Sequence, residues 1–133
     1  FVGEKLPVLL EKAAGVQGAE LAEFLSLALC HFSVFDPYRA LAIACAVLLA
    51  HLDDPWLALQ VAANQGDLDE VGCWRRYADI DCYAGIAGAL VGAYCGDGAL
   101  PAEKVERVVA ANRAVYGFDL AATVARFSQL AVA

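Results

Sequence analysis

Two carboxylates one residue apart, Asp79 and Asp81, lead directly into a run of small and apolar residues that predicts a helix. Both side chains can direct oxygen atoms at one cation, and oxygen ligands are what Mg²⁺ and Ca²⁺ prefer. Glycines recur in this helix at spacings of three and four residues: Gly85, Gly88, Gly92 and Gly96. One helix face therefore has almost no side chain. The pattern predicts a metal site at the start of a helix that another backbone can approach closely.

A second aspartate pair, Asp67 and Asp69, has the same spacing and lies earlier in the chain. It belongs to the segment 65–81, which lacks periodicity and is predicted to be a long connection. Long connections inside compact domains are usually functional or disordered. Aromatic and apolar residues alternate irregularly with the charges here, which favours an ordered, functional loop. The two aspartate pairs are alternative candidates for the metal site.

Four residues of this loop could bind a ligand: Trp74, Arg75, Arg76 and Tyr77. Guanidinium groups pair with a pyrophosphate, and an aromatic ring can stack on adenine. The alternative is structural. The two arginines would then neutralise the nearby acidic side chains, Asp67, Asp69 and Glu70, while the rings of Trp74 and Tyr77 hold the loop against the core.

These candidates are positioned by a predicted series of helices with short connections. Apolar spacing and breaker residues predict helices over Leu6 to Ala14, Ala19 to Phe32, Tyr38 to His51, Trp56 to Asn64 and Cys82 to Tyr94, one that begins at Pro101, and one that is capped by Asp119 and runs through Ala125 or beyond. Aspartate followed by proline predicts two of the starts, at Asp36 and Asp54. No segment alternates with period two, so strands are not expected. The predicted fold is an all-α, compact, single-domain array of about seven helices over residues 1–133.

Composition narrows the function classes. Of the 133 residues, 61% are hydrophobic, above the usual 45 to 50% or so, and the surplus is largely alanine. This surplus fits closely packed helices, or a face that docks on a missing half or a second copy. A net charge of -7 with nine scattered Lys and Arg argues against nucleic acid binding. The apolar runs fall short of the roughly 20 residues that span a bilayer, so we expect no membrane segment and a cytoplasmic protein.

We call Asp79, Asp81 and the start of the helix that follows them the metal corner. This corner resembles the C-terminal motif of the ADP-ribosylglycohydrolase family, which typically reads Gly-Gly-Asp-Thr-Asp-Thr and continues into Ala-Ala-Ile-Ala-Gly-Ala-Leu-Ala-Gly-Ala. The resemblance extends from about Asp54 to Phe127 and includes the later segments Ala99-Leu100-Pro101 and Tyr116-Gly117-Phe118-Asp119-Leu120. In the family the small-residue helix follows the second aspartate. This favours Asp79 and Asp81 over Asp67 and Asp69.

The resemblance implies an all-α enzyme that uses Mg²⁺ to hydrolyse the glycosidic bond of ADP-ribose on a protein or small molecule. This chain departs from the family pattern at Cys82, where a hydroxyl residue is usual, and at Ala78, where glycine is usual. The family's N-terminal metal motifs are not visible, so we expect a fragment or truncated form that corresponds to the C-terminal portion, with no catalytic residue assignable from the sequence. Two functions follow. One is part of an ADP-ribose hydrolase completed by a missing-half partner; the other is an inactive helical module that forms a homodimer or binds a protein.

Overall fold

The computed structural model describes residues 2–69 and 71–130. This part of the chain contains seven α-helices: α1 Val2–Ala13, α2 Gly18–Ala28, α3 Pro37–Ala50, α4 Pro55–Ala62, α5 Ile80–Cys95, α6 Ala102–Tyr116 and α7 Leu120–Leu130. A short 3₁₀ turn, Asp97–Ala99, follows α5. The predicted all-α array of about seven helices is confirmed. Contacts between Cα atoms divide the chain into two units, 1–99 and 100–133, and each is described by itself.

Three aspartates cap helices as their positions predict. The Asp36 carboxylate accepts a hydrogen bond from the Tyr38 backbone N–H at 2.8 Å, and Asp54 accepts one from Leu57 at 3.0 Å. A proline follows each of these two residues and occupies the first helical position. Asp119 accepts from the Ala122 N–H at 2.9 Å at the start of α7. Each carboxylate satisfies a helix donor that has no partner within the helix.

Helix α3 is the centre of the first unit and packs against α1, α4 and α5. Its buried residues cover most of its circumference, because alanines alternate with larger apolar side chains such as Ile43 and Val47. Small residues on all sides let three helices approach one axis closely. The buried alanines of α3 are therefore used for packing within this unit.

The segment between α4 and α5 differs from the predicted loop, because it forms an antiparallel β-hairpin of β1 Gly66–Leu68 and β2 Trp74–Tyr77. The expectation that the chain has no strands was wrong here. Strands of three and four residues are too short to show a period-two pattern in the sequence, and a β-bulge between Asp67 and Leu68 interrupts even this short ladder.

A buried polar network holds the root of the hairpin against the helices. The Ser26 hydroxyl on α2 donates to the Gln65 side-chain oxygen at 3.2 Å and accepts from the Gly66 N–H at 2.9 Å. The Gln65 amide also donates to the Val61 carbonyl at the end of α4, at 3.0 Å. Ser26, Gln65 and Gly66 are all buried. Because buried polar groups are costly to leave unpaired, this network fixes where the hairpin leaves the core.

The second unit is a pair of helices, α6 and α7, joined through Gly117, whose φ of +63° favours glycine at the helix end. An ion pair between Arg113 and Asp119, at 2.6 Å, spans the turn. None of the residues of α6 is buried. In the described part of the chain, no helix combines the length and the apolar character needed to cross a membrane.

Candidate functional site

Asp79 lies at the N-cap position of α5, but its side chain makes no capping hydrogen bond. This separates it from Asp36, Asp54 and Asp119, which all cap their helices. The predicted helix start was two residues late, because α5 begins at Ile80 rather than at Cys82. Asp81 is therefore in the first helical turn and Asp79 is the last residue before it. The Asp79 carboxylate therefore accepts no backbone hydrogen bond from the first turn of α5.

The Asp79 carboxylate instead contacts its neighbour two residues on. Loss of hydration, together with a hydrogen bond to and repulsion from the Asp81 carboxylate, raises the pKa of Asp79. A hydrogen bond from the Cys82 thiol acts in the opposite direction and is weaker. Two carboxylates that share a proton or repel each other are a site where a cation would be stabilising. The structure thus brings together the predicted pair, Asp79 and Asp81.

The alternative pair, Asp67 and Asp69, takes part in the hairpin. Asp67 forms an ion pair with Arg76 on the opposite strand, with 3.0 Å between Oδ2 and Nε, and its side chain is only 14% exposed. The Asp69 carboxylate accepts hydrogen bonds from the backbone N–H groups of Val71 and Cys73, at 3.1 and 2.8 Å, and so closes the hairpin turn. Both carboxylates therefore already have partners.

The four residues predicted to bind a ligand make up strand β2. Arg76 pairs with Asp67, as the structural alternative proposed, and Glu70 lies outside the described residues. The rings of Trp74 and Tyr77 meet edge to face with centroids 5.2 Å apart, and both remain more than half exposed. Arg75 is exposed and has no ion pair within residues 2–69 and 71–130. Of the two arginines, it is the one available to an anion.

Two buried residues near the aspartates were not predicted from the sequence. Arg39 of α3 is fully buried and donates to the carbonyls of Phe32, at 3.2 Å, and Gly66, at 2.7 Å. Tyr83 of α5 is also buried, lies under the Arg39 guanidinium and donates its hydroxyl to the Val34 carbonyl. A single arginine in the first turn of an apolar helix was the available signal, since the helix dipole disfavours a cation there.

The pKa of Tyr83 depends on burial and on the charged groups around its phenol. Burial raises its pKa to about 12; Arg39 opposes this, while Asp79, then Cys82, then Asp67 add to it. Carboxylates from the start of α5 and from β1 therefore act on one phenol. The carboxylates make the metal corner negatively charged, and the nearby buried cation is the Arg39 guanidinium. Arg39 also joins the hairpin to α3 through its hydrogen bond to the Gly66 carbonyl.

The face of α5 that carries Gly85 and Gly92 is exposed. Helix α5 buries Tyr83, Ala87 and Val91, which follow one another at four-residue spacing. Gly85 and Gly92 lie on the opposite side of the helix and are exposed, and a Cβ at either would meet nothing within 4 Å. Only Gly88 would contact a neighbour, the Leu59 side chain at 3.7 Å. Within the described residues no other backbone lies against Gly85 or Gly92, so the prediction that another backbone can approach this face stays a prediction.

The donor set can be tested against Mg²⁺. Within the described residues, no group of three or more His, Cys, Asp or Glu side chains is placed to hold a metal ion. Two carboxylates suffice for a Mg²⁺ that keeps most of its water ligands. Cys82 adds only a soft donor that suits Mg²⁺ poorly. The chain thus fits one weakly held, hydrated cation, and not a complete two-ion centre.

Comparisons with models of protein families, with curated proteins and with solved structures found no match to this chain.

Proposed function

We propose that this chain is the C-terminal portion of an ADP-ribosylglycohydrolase-like enzyme, in which Asp79 and Asp81 hold Mg²⁺ for hydrolysis of an ADP-ribose glycosidic bond once the remaining ligands are supplied. The observation that carries the proposal is the uncapped Asp79 carboxylate, held against Asp81 at the start of α5. The motif that surrounds it resembles the family motif, and the alternative pair is used by the hairpin.

The chain's own residues would act by position and charge. Asp79 and Asp81 would bind the ion, and the buried Arg39, through its bond to the Gly66 carbonyl, would keep the hairpin next to them. Arg75 would meet the pyrophosphate, with the exposed rings of Trp74 and Tyr77 available for stacking on the base. When bound, Mg²⁺ would polarise the ribose and orient a water molecule. A carboxylate outside these residues would accept the proton.

Calorimetry tests this proposal. The whole chain is titrated with ADP-ribose in the presence and in the absence of Mg²⁺, and the titration is repeated with Asp79→Asn and with a control, Asp53→Asn. Asp53 is an exposed aspartate outside the corner. We expect binding that requires Mg²⁺, is lost in Asp79→Asn and is retained in Asp53→Asn. Equal behaviour of the two variants, or no binding at all, would leave the proposal without support.

A second function is favoured by a separate observation. The glycine face of α5 is open, and α6 buries no residue although Val105, Val108 and Val115 are exposed. Small exposed faces let helices approach closely, and exposed apolar side chains are typical of interfaces. The alternative function is therefore a helical module that forms a homodimer or binds a protein partner.

Leucine substitutions on α5 separate the two functions. Gly85→Leu and Gly92→Leu have open space around them and replace glycine with a better helix former. If the chain dimerises through this face, both variants become monomeric in sedimentation equilibrium, whereas Ala93→Leu, exposed but off the glycine face, keeps the wild-type mass. A wild-type chain that is monomeric at all concentrations would exclude the homodimer.

A further inference from the structure

A groove of about 580 Å³ lies between α2, α4 and the hairpin, within the first unit. Its α2 wall includes three small residues, Gly18, Ala19 and Ala22, and one long side chain, Glu23. Val61 and Leu68 are buried and form an apolar floor. The volume falls within the range of about 300 to 1,000 Å³ that small-molecule sites usually have.

One wall of the groove is the indole of Trp74, which is held in place by its neighbours. The ring lies directly over Gly66, where a Cβ would come within 2.3 Å of the indole Cζ3. Its other restraint is the edge-to-face contact with Tyr77. Gly66 is itself fixed by hydrogen bonds from its N–H to Ser26 and from Arg39 to its carbonyl. The aromatic wall is therefore attached to the buried network rather than to a free loop, and Trp74 still keeps 54% exposure.

The charge of the groove lining is negative. Glu23 is the only charged side chain among the described residues that line it, and it forms no ion pair with any of them. Two amides, Gln60 and Asn64, complete the polar part. The Asn64 amide nitrogen donates to the Gln60 carbonyl at 2.6 Å, which leaves the Asn64 side-chain oxygen as an acceptor. Of the lining residues that the structure describes, none is a lysine, arginine or histidine. An anion such as pyrophosphate would meet repulsion here.

From this combination we infer that the groove binds a small organic ammonium ion, with its head group between Trp74 and the Glu23 carboxylate and its apolar part on the floor of Val61 and Leu68. The face of an indole attracts cations more strongly than the other aromatic side chains do. A carboxylate on the same groove adds charge attraction, and the net charge of -7 favours the approach of a cation. This inference does not depend on the metal corner; Trp74 is the one residue that the groove shares with the proposed ADP-ribose site.

The probes are choline and its uncharged isostere 3,3-dimethyl-1-butanol, titrated into the ¹⁵N-labelled full chain. The readout is the chemical shift of the Trp74 indole N–H, which Trp74→Phe assigns. Trp56 does not line the groove and gives an internal reference. We expect a saturable shift of the Trp74 signal with choline, a much weaker one with the alcohol, and no shift of the Trp56 signal.

Two glutamates of α2 supply the matched variants. Glu23→Gln removes the charge in the groove, whereas Glu20→Gln removes an exposed charge of the same helix that does not line it. We expect Glu23→Gln to weaken choline binding roughly threefold to fivefold, the size of an exposed charge interaction, and Glu20→Gln to leave it unchanged. Both variants change exposed side chains and should fold.

The inference is overturned if the alcohol binds as well as choline, if the two variants behave alike, or if no titration saturates. A peptide with a trimethyllysine side chain supplies a further arm. Tighter binding of this peptide than of choline would identify the source of the ammonium as a protein side chain, and the reverse order would identify a free metabolite; either result supports the ammonium site. Asp79→Asn should leave choline binding unchanged, so a failure of the metal proposal and a failure of this one are distinguishable.

Discussion

Removing single N-cap carboxylates should show which aspartate is free to bind a ligand. The test compares Asp36→Ala, Asp54→Ala and Asp79→Ala, all in the first unit. Asp36 and Asp54 each accept one hydrogen bond from a helix donor, at 2.8 and 3.0 Å. Loss of such a cap costs about 1 kcal/mol of unfolding free energy. Asp79 makes no capping bond, so its removal loses none.

The Asp79→Ala variant should in fact be as stable as the wild type or more stable at pH 7. The raised pKa of Asp79 means that the folded state binds a proton there more readily than the unfolded state does. Ionised Asp79 therefore opposes folding at neutral pH, and this cost disappears as the pH falls and both states become protonated. Asp81 remains in the first turn of the variant to interact with the helix dipole. Any gain should thus be largest near pH 7 and absent near pH 3.

Urea unfolding followed by circular dichroism at pH 7 and pH 3.5 measures all three variants. If Asp79→Ala loses about as much stability as Asp36→Ala and Asp54→Ala, its carboxylate caps α5 and is not free. That result would remove the observation on which the metal proposal depends. A loss in Asp79→Ala that grows toward pH 7 would contradict the sign of the argument directly.

Three further predictions concern the surroundings of the site. Arg39→Met keeps most of the side-chain volume but leaves the Phe32 and Gly66 carbonyls without their donor, and should lower the unfolding free energy by about 2 kcal/mol in urea titrations. His51 is buried, and desolvation lowers its pKa despite the two aspartates that follow it. Wild-type stability should therefore fall as the pH drops below about 6.5, and His51→Gln should flatten this dependence between pH 7 and 5. Gly66→Ala should displace the Trp74 ring at a cost of about 1 to 3 kcal/mol and change the near-ultraviolet circular dichroism.

The helices were predictable because their signals are local. Asp36 and Asp54 precede prolines, and both pairs start helices where the sequence predicts them. The apolar content of α3 identified a buried helix, since few charges interrupt it. The start of α1 was placed four residues late, at Leu6 instead of Val2, and Pro7 lies within the helix.

The polar network was not predictable because it joins residues far apart in the chain. Ser26 and Gly66 are separated by 40 positions, and Arg39 and Gly66 by 27. No spacing rule connects a serine on one helix with a glycine after another. The sequence does contain one indication, because arginine in the first turn of an apolar helix conflicts with the helix dipole and needs a specific partner. The hairpin follows from the same network, since its short strands carry no periodic pattern of their own.

The contrast between the two aspartate pairs shows why spacing alone cannot identify a site. In a strand, residues two apart share one face, yet Asp67 and Asp69 differ, because Asp67 lies opposite Arg76 in the ladder whereas Asp69 lies beyond the end of β1 and closes the turn. Within a helix, residues two apart do not face each other. Asp79 and Asp81 can meet only because Asp79 precedes the helix, with ψ at +62° instead of the helical value. A carboxylate pair of this spacing therefore converges where an irregular backbone becomes helical, and that boundary is the feature to seek in a sequence before a metal is assigned.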